Sequence, residues 1–139
     1  MAASTSFRIS ETARTRLAAQ ATREGTSATA LLDQLIIEGV AQRDYPGIVF
    51  RGPAHDRRAA LAGGPDVWEV VARLREIDGS DEERISLLAQ ESDLHPRLIR
   101  LALDHAAAHP DDTLARIERN RVMAARSRAA SQQREALLR

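Results

Sequence analysis

The amino-acid sequence predicts a mainly α protein. It starts with an alternating strand and two helices, continues with a short β-hairpin, and ends in a small helical domain with a C-terminal helix. Three observations carry this. Residues 5–43 hold one alternating segment and two helical periods joined at Gly25. Pro and Gly bracket two β-prone runs between residues 45 and 65. From residue 66 onward, capping signals precede each apolar-periodic stretch.

The alternating segment is Thr5-Ser6-Phe7-Arg8-Ile9. Thr5, Phe7 and Ile9 fall on one face, and Ser4, Ser6 and Arg8 on the other. Ser10 stands at an N-cap position with Glu11 in the first turn, where the helix dipole favours an acid. The first helix runs through Ala13, Leu17 and Ala21 to Gly25. The second follows Thr26-Ser27 and carries Leu31, Leu32, Leu35, Ile36 and Val40. One strand cannot satisfy its own backbone, and two short helices cannot bury much. A dimer that pairs the two strands into an antiparallel ribbon solves both problems. Its core is expected to be Phe7, Ile9, Leu17, Leu31, Leu35 and Ile36. The outer face of such a ribbon fits a DNA major groove.

Asp44-Tyr45-Pro46-Gly47 ends this first block. Ile48-Val49-Phe50 and Arg58-Ala59-Ala60-Leu61 read as the two arms of a hairpin around a Gly52–Asp56 turn. A helix is expected from about Asp66 to Ile77, with Val67, Val70, Val71 and Leu74 on one face. Ser80-Asp81-Glu82-Glu83 is a capping box, in which Ser80 and Glu83 would each satisfy the other's amide. His95-Pro96 opens the next helix with Pro at its first position, and Asp111-Asp112 opens a last one through Leu114 and Ile117. Beyond Arg121 the pattern is polar and weak, which predicts a tail that frays without a partner. The expected domains are therefore 1–44, 45–112 and a basic helical tail at 113–139.

Composition narrows the function. There is no cysteine, hence no disulfide framework, thiolate nucleophile or Cys-ligated zinc. No apolar run is long enough to span a bilayer and no signal-peptide pattern is seen, so a cytoplasmic bacterial protein with no membrane partner is expected. All 20 basic residues are Arg, and 20 acids balance them. The balance is uneven along the chain: residues 80–112 carry three Arg against eight acids, and residues 113–139 seven Arg against two.

The stretch Phe7-Arg8-Ile9-Ser10-Glu11-Thr12, with Leu17, Gly25-Thr26-Ser27, Leu31 and Leu35, resembles the ribbon-helix-helix family of bacterial repressors and antitoxins (the Arc, MetJ and CopG type). The resemblance implies that Ser4, Ser6 and Arg8 touch base edges. It also implies that the amides of Ser27 and Ala28, at the second helix N-terminus, hold a backbone phosphate. Arg8 is the only charged residue on the expected ribbon, and a dimerisation module without DNA contact is the plainer alternative.

Gly63-Gly64-Pro65-Asp66-Val67-Trp68, the capped helix that follows, and Leu98–Ala108 with His109-Pro110 are similar to a small domain of antitoxins found beside PIN-type toxin genes (VapB-like). This chain has Gly63-Gly64-Pro65 where that family usually has Gly-Thr-Arg after its hairpin. Residues 85–102 also fit helix-turn-helix spacing. Ala89 sits at the helix contact, Asp93 at the usual glycine position of the turn and Ile99 in the second helix, with His95, Arg97 and Arg100 outward. The acidic surroundings favour an ordinary helical hairpin there.

The tail arginines Arg116, Arg119, Arg121, Arg126, Arg128 and Arg134 admit three readings: DNA phosphate contacts, contacts to a carboxylate-rich toxin site, or pairing with the acidic block 80–112. His105 and His109 have metal-ligand spacing, but Ala-Ala-Ala lies between them and no third ligand is evident. No catalytic residue, metal or cofactor is expected. The resulting expectation is an antitoxin that forms a homodimer or a higher even oligomer. It would bind operator DNA and neutralise a cognate toxin protein, such as a PIN-type ribonuclease. The alternative is a stand-alone repressor with a ligand-sensing or oligomerising C-terminal domain.

Overall fold

A computed structural model describes residues 3–139. The protein is mainly helical (68%), with six helices and one two-stranded antiparallel sheet among these residues. The chain divides into two compact units, Met1–Asp44 and Tyr45–Arg139.

In the first unit, residues 3–10 form neither helix nor strand in the single chain. A strand exists only by pairing. Helix α1, Glu11–Glu24, begins where the Ser10 hydroxyl accepts the Ala13 N–H at 3.1 Å. It ends at Gly25, whose left-handed backbone (φ 68°) lets the Thr26 N–H reach the Ala21 carbonyl at 3.0 Å. Helix α2, Ala28–Asp44, starts with the Ser27 hydroxyl accepting the Ala30 N–H at 3.1 Å. The Ser10 cap lies where the sequence puts it, because capping is a local property.

The second unit opens with the hairpin of β1, Ile48–Arg51, and β2, Arg58–Leu61, in the register Ile48↔Leu61 to Arg51↔Arg58. Gly52 (φ 102°) makes its turn possible, since a Cβ there would collide with the Asp56 carbonyl. Four helices follow: α3 (Val67–Glu76), α4 (Asp81–Glu91), α5 (Pro96–Ala108) and α6 (Pro110–Leu137). Their core joins Ile48 and Leu61 of the hairpin to Val67, Val70 and Leu74 of α3, Ile85 and Leu88 of α4, and Ile99, Ala102 and Ala106 of α5. Val71 lies at its edge, half-buried.

Three expectations need correcting. The tail does not fray after Arg121: α6 is one 28-residue helix to Leu137. Its weakly amphipathic outer part is rich in Ala and Arg, which favour helix without a periodic apolar face. Nor do residues 113–139 stand apart from 45–112, because α6 belongs to the second unit and contacts α3 and α5. Finally, the capping box at α4 is only half made. Ser80 accepts the Glu83 N–H at 3.2 Å, but its hydroxyl donates to the Glu83 carboxylate at 3.1 Å, so that carboxylate takes the hydroxyl proton in place of the Ser80 amide.

Candidate nucleic-acid interface

The first unit presents the residues expected to read DNA on its surface. Ser4, Ser6 and Arg8 are all exposed, ahead of α1. Ser27 and Ala28 are exposed at the α2 N-terminus, where the first amides of a helix have no intrahelical acceptor. The Ser27 hydroxyl is committed to the Ala30 amide, and the earlier amides of that first turn, Ala28's among them, have no intrahelical acceptor.

Beside these polar groups the unit is unusually apolar on its outside. Phe7 is 81% exposed, Ile9 43%, Leu35 50% and Ile36 53%. Leu17 is half-buried. Of the expected dimer-core residues, Leu31 alone is already buried in the single chain. A concavity of about 650 Å³ runs between α1 and α2, lined among others by Ile9, Ala13, Leu17, Leu32 and Leu35. Ile37, which the sequence reading did not single out, is exposed too, as is Val40. Ile37 carried no periodic signal: apolar and polar residues are interspersed around α2, so no single face stands out.

In the second unit the structure puts the expected basic residues to different uses. Arg116, with only 12% of its side chain exposed, reaches the Asp56 carboxylate at 2.9 Å and the Arg57 carbonyl at 2.9 Å. It ties α6 to the hairpin loop, so its guanidinium is not open to a partner. The Arg116 bond draws the Asp56 carboxyl below its ordinary range, against some desolvation and helped by Arg58 and Arg119. Arg119 reaches Asp56 at 3.8 Å, and Arg121 pairs with Glu118 one turn back at 2.6 Å. Arg126 and Arg128 are exposed.

A carboxylate that sequence reasoning treated only as a helix start proves central. Asp66 is buried and receives Arg58 Nε at 2.7 Å, Arg51 at 3.0 Å and the Trp68 indole N–H at 3.2 Å. Arg51 also donates to the Gly64 carbonyl at 2.6 Å. These bonds lock the hairpin ends to the start of α3. Two arginines closing a hairpin, with an acid ahead of the next helix, were the sequence signal.

The helix-turn-helix-like segment departs from its expected geometry. Among the described residues no non-glycine has a positive φ, so Asp93 does not take the left-handed conformation that a glycine takes in such turns. His95 is spent as a cap, its Nδ1 accepting the Arg97 N–H at 3.0 Å, and Arg100 pairs with Glu82 at 2.7 Å. Arg97 stays exposed. Ile99 is fully buried and Ala89 half-buried, as a helical hairpin requires.

His105 is buried and His109 exposed, with ring centroids 4.7 Å apart. No group of three or more His, Asp or Glu among the described residues is arranged to hold a metal ion. No helix among them is long and apolar enough to cross a membrane. No family model, curated protein or solved structure matches this chain.

Proposed function

We propose that the protein is a DNA-binding regulator that acts as a homodimer. Residues 5–9 of two copies pair into an antiparallel ribbon, and Ser4, Ser6 and Arg8 of each copy face the major groove, as in the ribbon-helix-helix proteins that the N-terminus resembles. The observation that supports this most is the exposure of Phe7 and Ile9 together with Leu35 and Ile36 on a unit of 44 residues whose buried apolar residues are Ala21 and Leu31. Such a unit is too small to stabilise itself, and each large side chain that a second copy covers adds about 1–3 kcal/mol. The open amides at the α2 N-terminus add a phosphate anchor that needs no lysine. The test is binding to DNA from upstream of its own gene, at fixed salt, against scrambled DNA of equal length. Equal affinity for both overturns the reading.

We further assign this regulator to a toxin–antitoxin pair, as the resemblance implies. The exposed outer part of α6 carries the toxin contact. With Arg116 and Arg121 engaged inside the chain, Arg126 and Arg128 are among the exposed arginines of α6 that can reach a carboxylate-rich ribonuclease site. Co-expression with the neighbouring gene tests it. Copurification and rescue of growth support the pair, whereas operator binding with no captured protein makes this a stand-alone repressor.

A further inference from the structure

Four aromatic rings meet at the C-terminal end of α5. His105 lies 5.1 Å from Tyr45 at a near-perpendicular 81°, 6.3 Å from Phe50 and 4.7 Å from His109. Tyr45 also meets His109 edge-on at 6.5 Å. His105 is only 5% exposed, and its Nδ1 is buried without a hydrogen-bond partner among the described residues.

That orphaned nitrogen decides which form of the ring fits. In the neutral imidazole with its proton on Nε2, Nδ1 is a lone pair facing apolar surface. In the cation Nδ1 becomes an N–H with no acceptor, and the charge sits in a desolvated box. The surrounding elements do little to offset this. The segment before β1 contributes the Tyr45 ring, and β1 contributes Phe50, which has no ionisable group. The joint between α5 and α6 contributes His109, which opposes a second positive charge. Only Asp112 of α6 favours the cation, and it is itself 3.9 Å from the Arg116 guanidinium.

We propose that this box is an acid-sensitive latch: uptake of one proton by His105 unpacks Tyr45 from α5 and opens the joint between α5 and α6. Both parts hang on the same ring. Tyr45 is the residue at which the chain enters the second unit. His109 is at once the C-cap of α5 and the N-cap of α6, and its N–H bonds to the His105 carbonyl at 3.1 Å. Burial holds the His105 pKa below the ordinary histidine value of 6.5, and His109 adds to this. The sign follows: the latch is fully closed above pH 6.5, and the second unit loses stability as pH falls below that value towards the folded-state pKa.

The experiment is unfolding of the full chain in denaturant between pH 7.5 and 5.5, followed by fluorescence of Trp68, the sole tryptophan, which lies in the second unit. Below pH 6.5 the unfolding constant of the natural chain should rise by up to tenfold per pH unit, the slope of one bound proton. His105→Phe should remove that rise, and His55→Gln, an exposed histidine in the hairpin turn, should keep it. An unchanged slope in His105→Phe overturns the proposal. If His105→Phe does not fold, NMR titration of the natural chain decides: a His105 midpoint below that of His55 supports the latch, and a midpoint equal to or above it refutes it.

Discussion

Arg116 and Asp56 join the long C-terminal helix to the loop of the β-hairpin, with 2.9 Å between guanidinium and carboxylate and a second bond from Arg116 to the Arg57 carbonyl. The same arginine therefore cannot serve both the fold and a partner. The charged tail separates into a structural inner part and an exposed outer part.

Arg116→Ala should lower the melting temperature of the second unit by several degrees, because it removes the part-buried bonds that tie α6 to the Asp56 carboxylate and the Arg57 carbonyl. Arg126→Ala and Arg128→Ala should leave melting unchanged and weaken capture of the toxin. Calorimetry on the three variants, beside copurification from co-expressing cells, separates the two roles.

Asp66 sets an acid limit. Burial pushes its carboxyl up, but the bonds from Arg58, Arg51 and Trp68 together bring it below the ordinary carboxylate value of 3.8. A lowered carboxylate pKa means that its stabilising contribution is present above pH 3.8 and disappears as pH falls through the folded-state value. Asp66→Asn should reduce stability at pH 7 and flatten the pH dependence below about 4. Acid titration followed by Trp68 fluorescence measures both, and this range lies well below that of His105.

Ile99 is fully buried at the centre of the helical core. Ile99→Ala should cost about 2–5 kcal/mol in denaturant unfolding of the second unit. Ser10→Ala, which removes the α1 cap, should cost about 1 kcal/mol and show in the first unit alone.

Arg8→Ala should abolish discrimination between operator and scrambled DNA while the dimer persists, because Arg8 is exposed and off the apolar face. A bidentate arginine–guanine contact contributes about 1–3 kcal/mol of discrimination, so the ratio of affinities should fall by roughly ten- to a hundredfold in a salt-controlled retardation assay.

Much of this fold was legible because it is written locally. Ser10, Gly25, Ser27 and Ser80 mark helix ends within a few residues of the groups they satisfy, and the two β-prone runs pair in one hairpin. What escaped is non-local or non-periodic. Asp56 and Arg116 are far apart in sequence, so nothing in either neighbourhood announces their bond. The outer part of α6 is helical by propensity and not by amphipathic pattern, and a reading based on period alone ends it too early. At the candidate interface the apolar positions were readable from alternation and spacing. Ile37 was not, because apolar and polar residues are interspersed around α2 and leave no single face to read.

The mass of the protein in solution bears most directly on the central claim. Sedimentation equilibrium at micromolar concentration should give twice the 15.3 kDa of the chain. Phe7→Asp with Ile9→Asp should return a monomer of about 15.3 kDa, folded in its second unit, that no longer binds operator DNA. A natural chain that sediments as a monomer, or a dimer indifferent to both substitutions, would contradict the account.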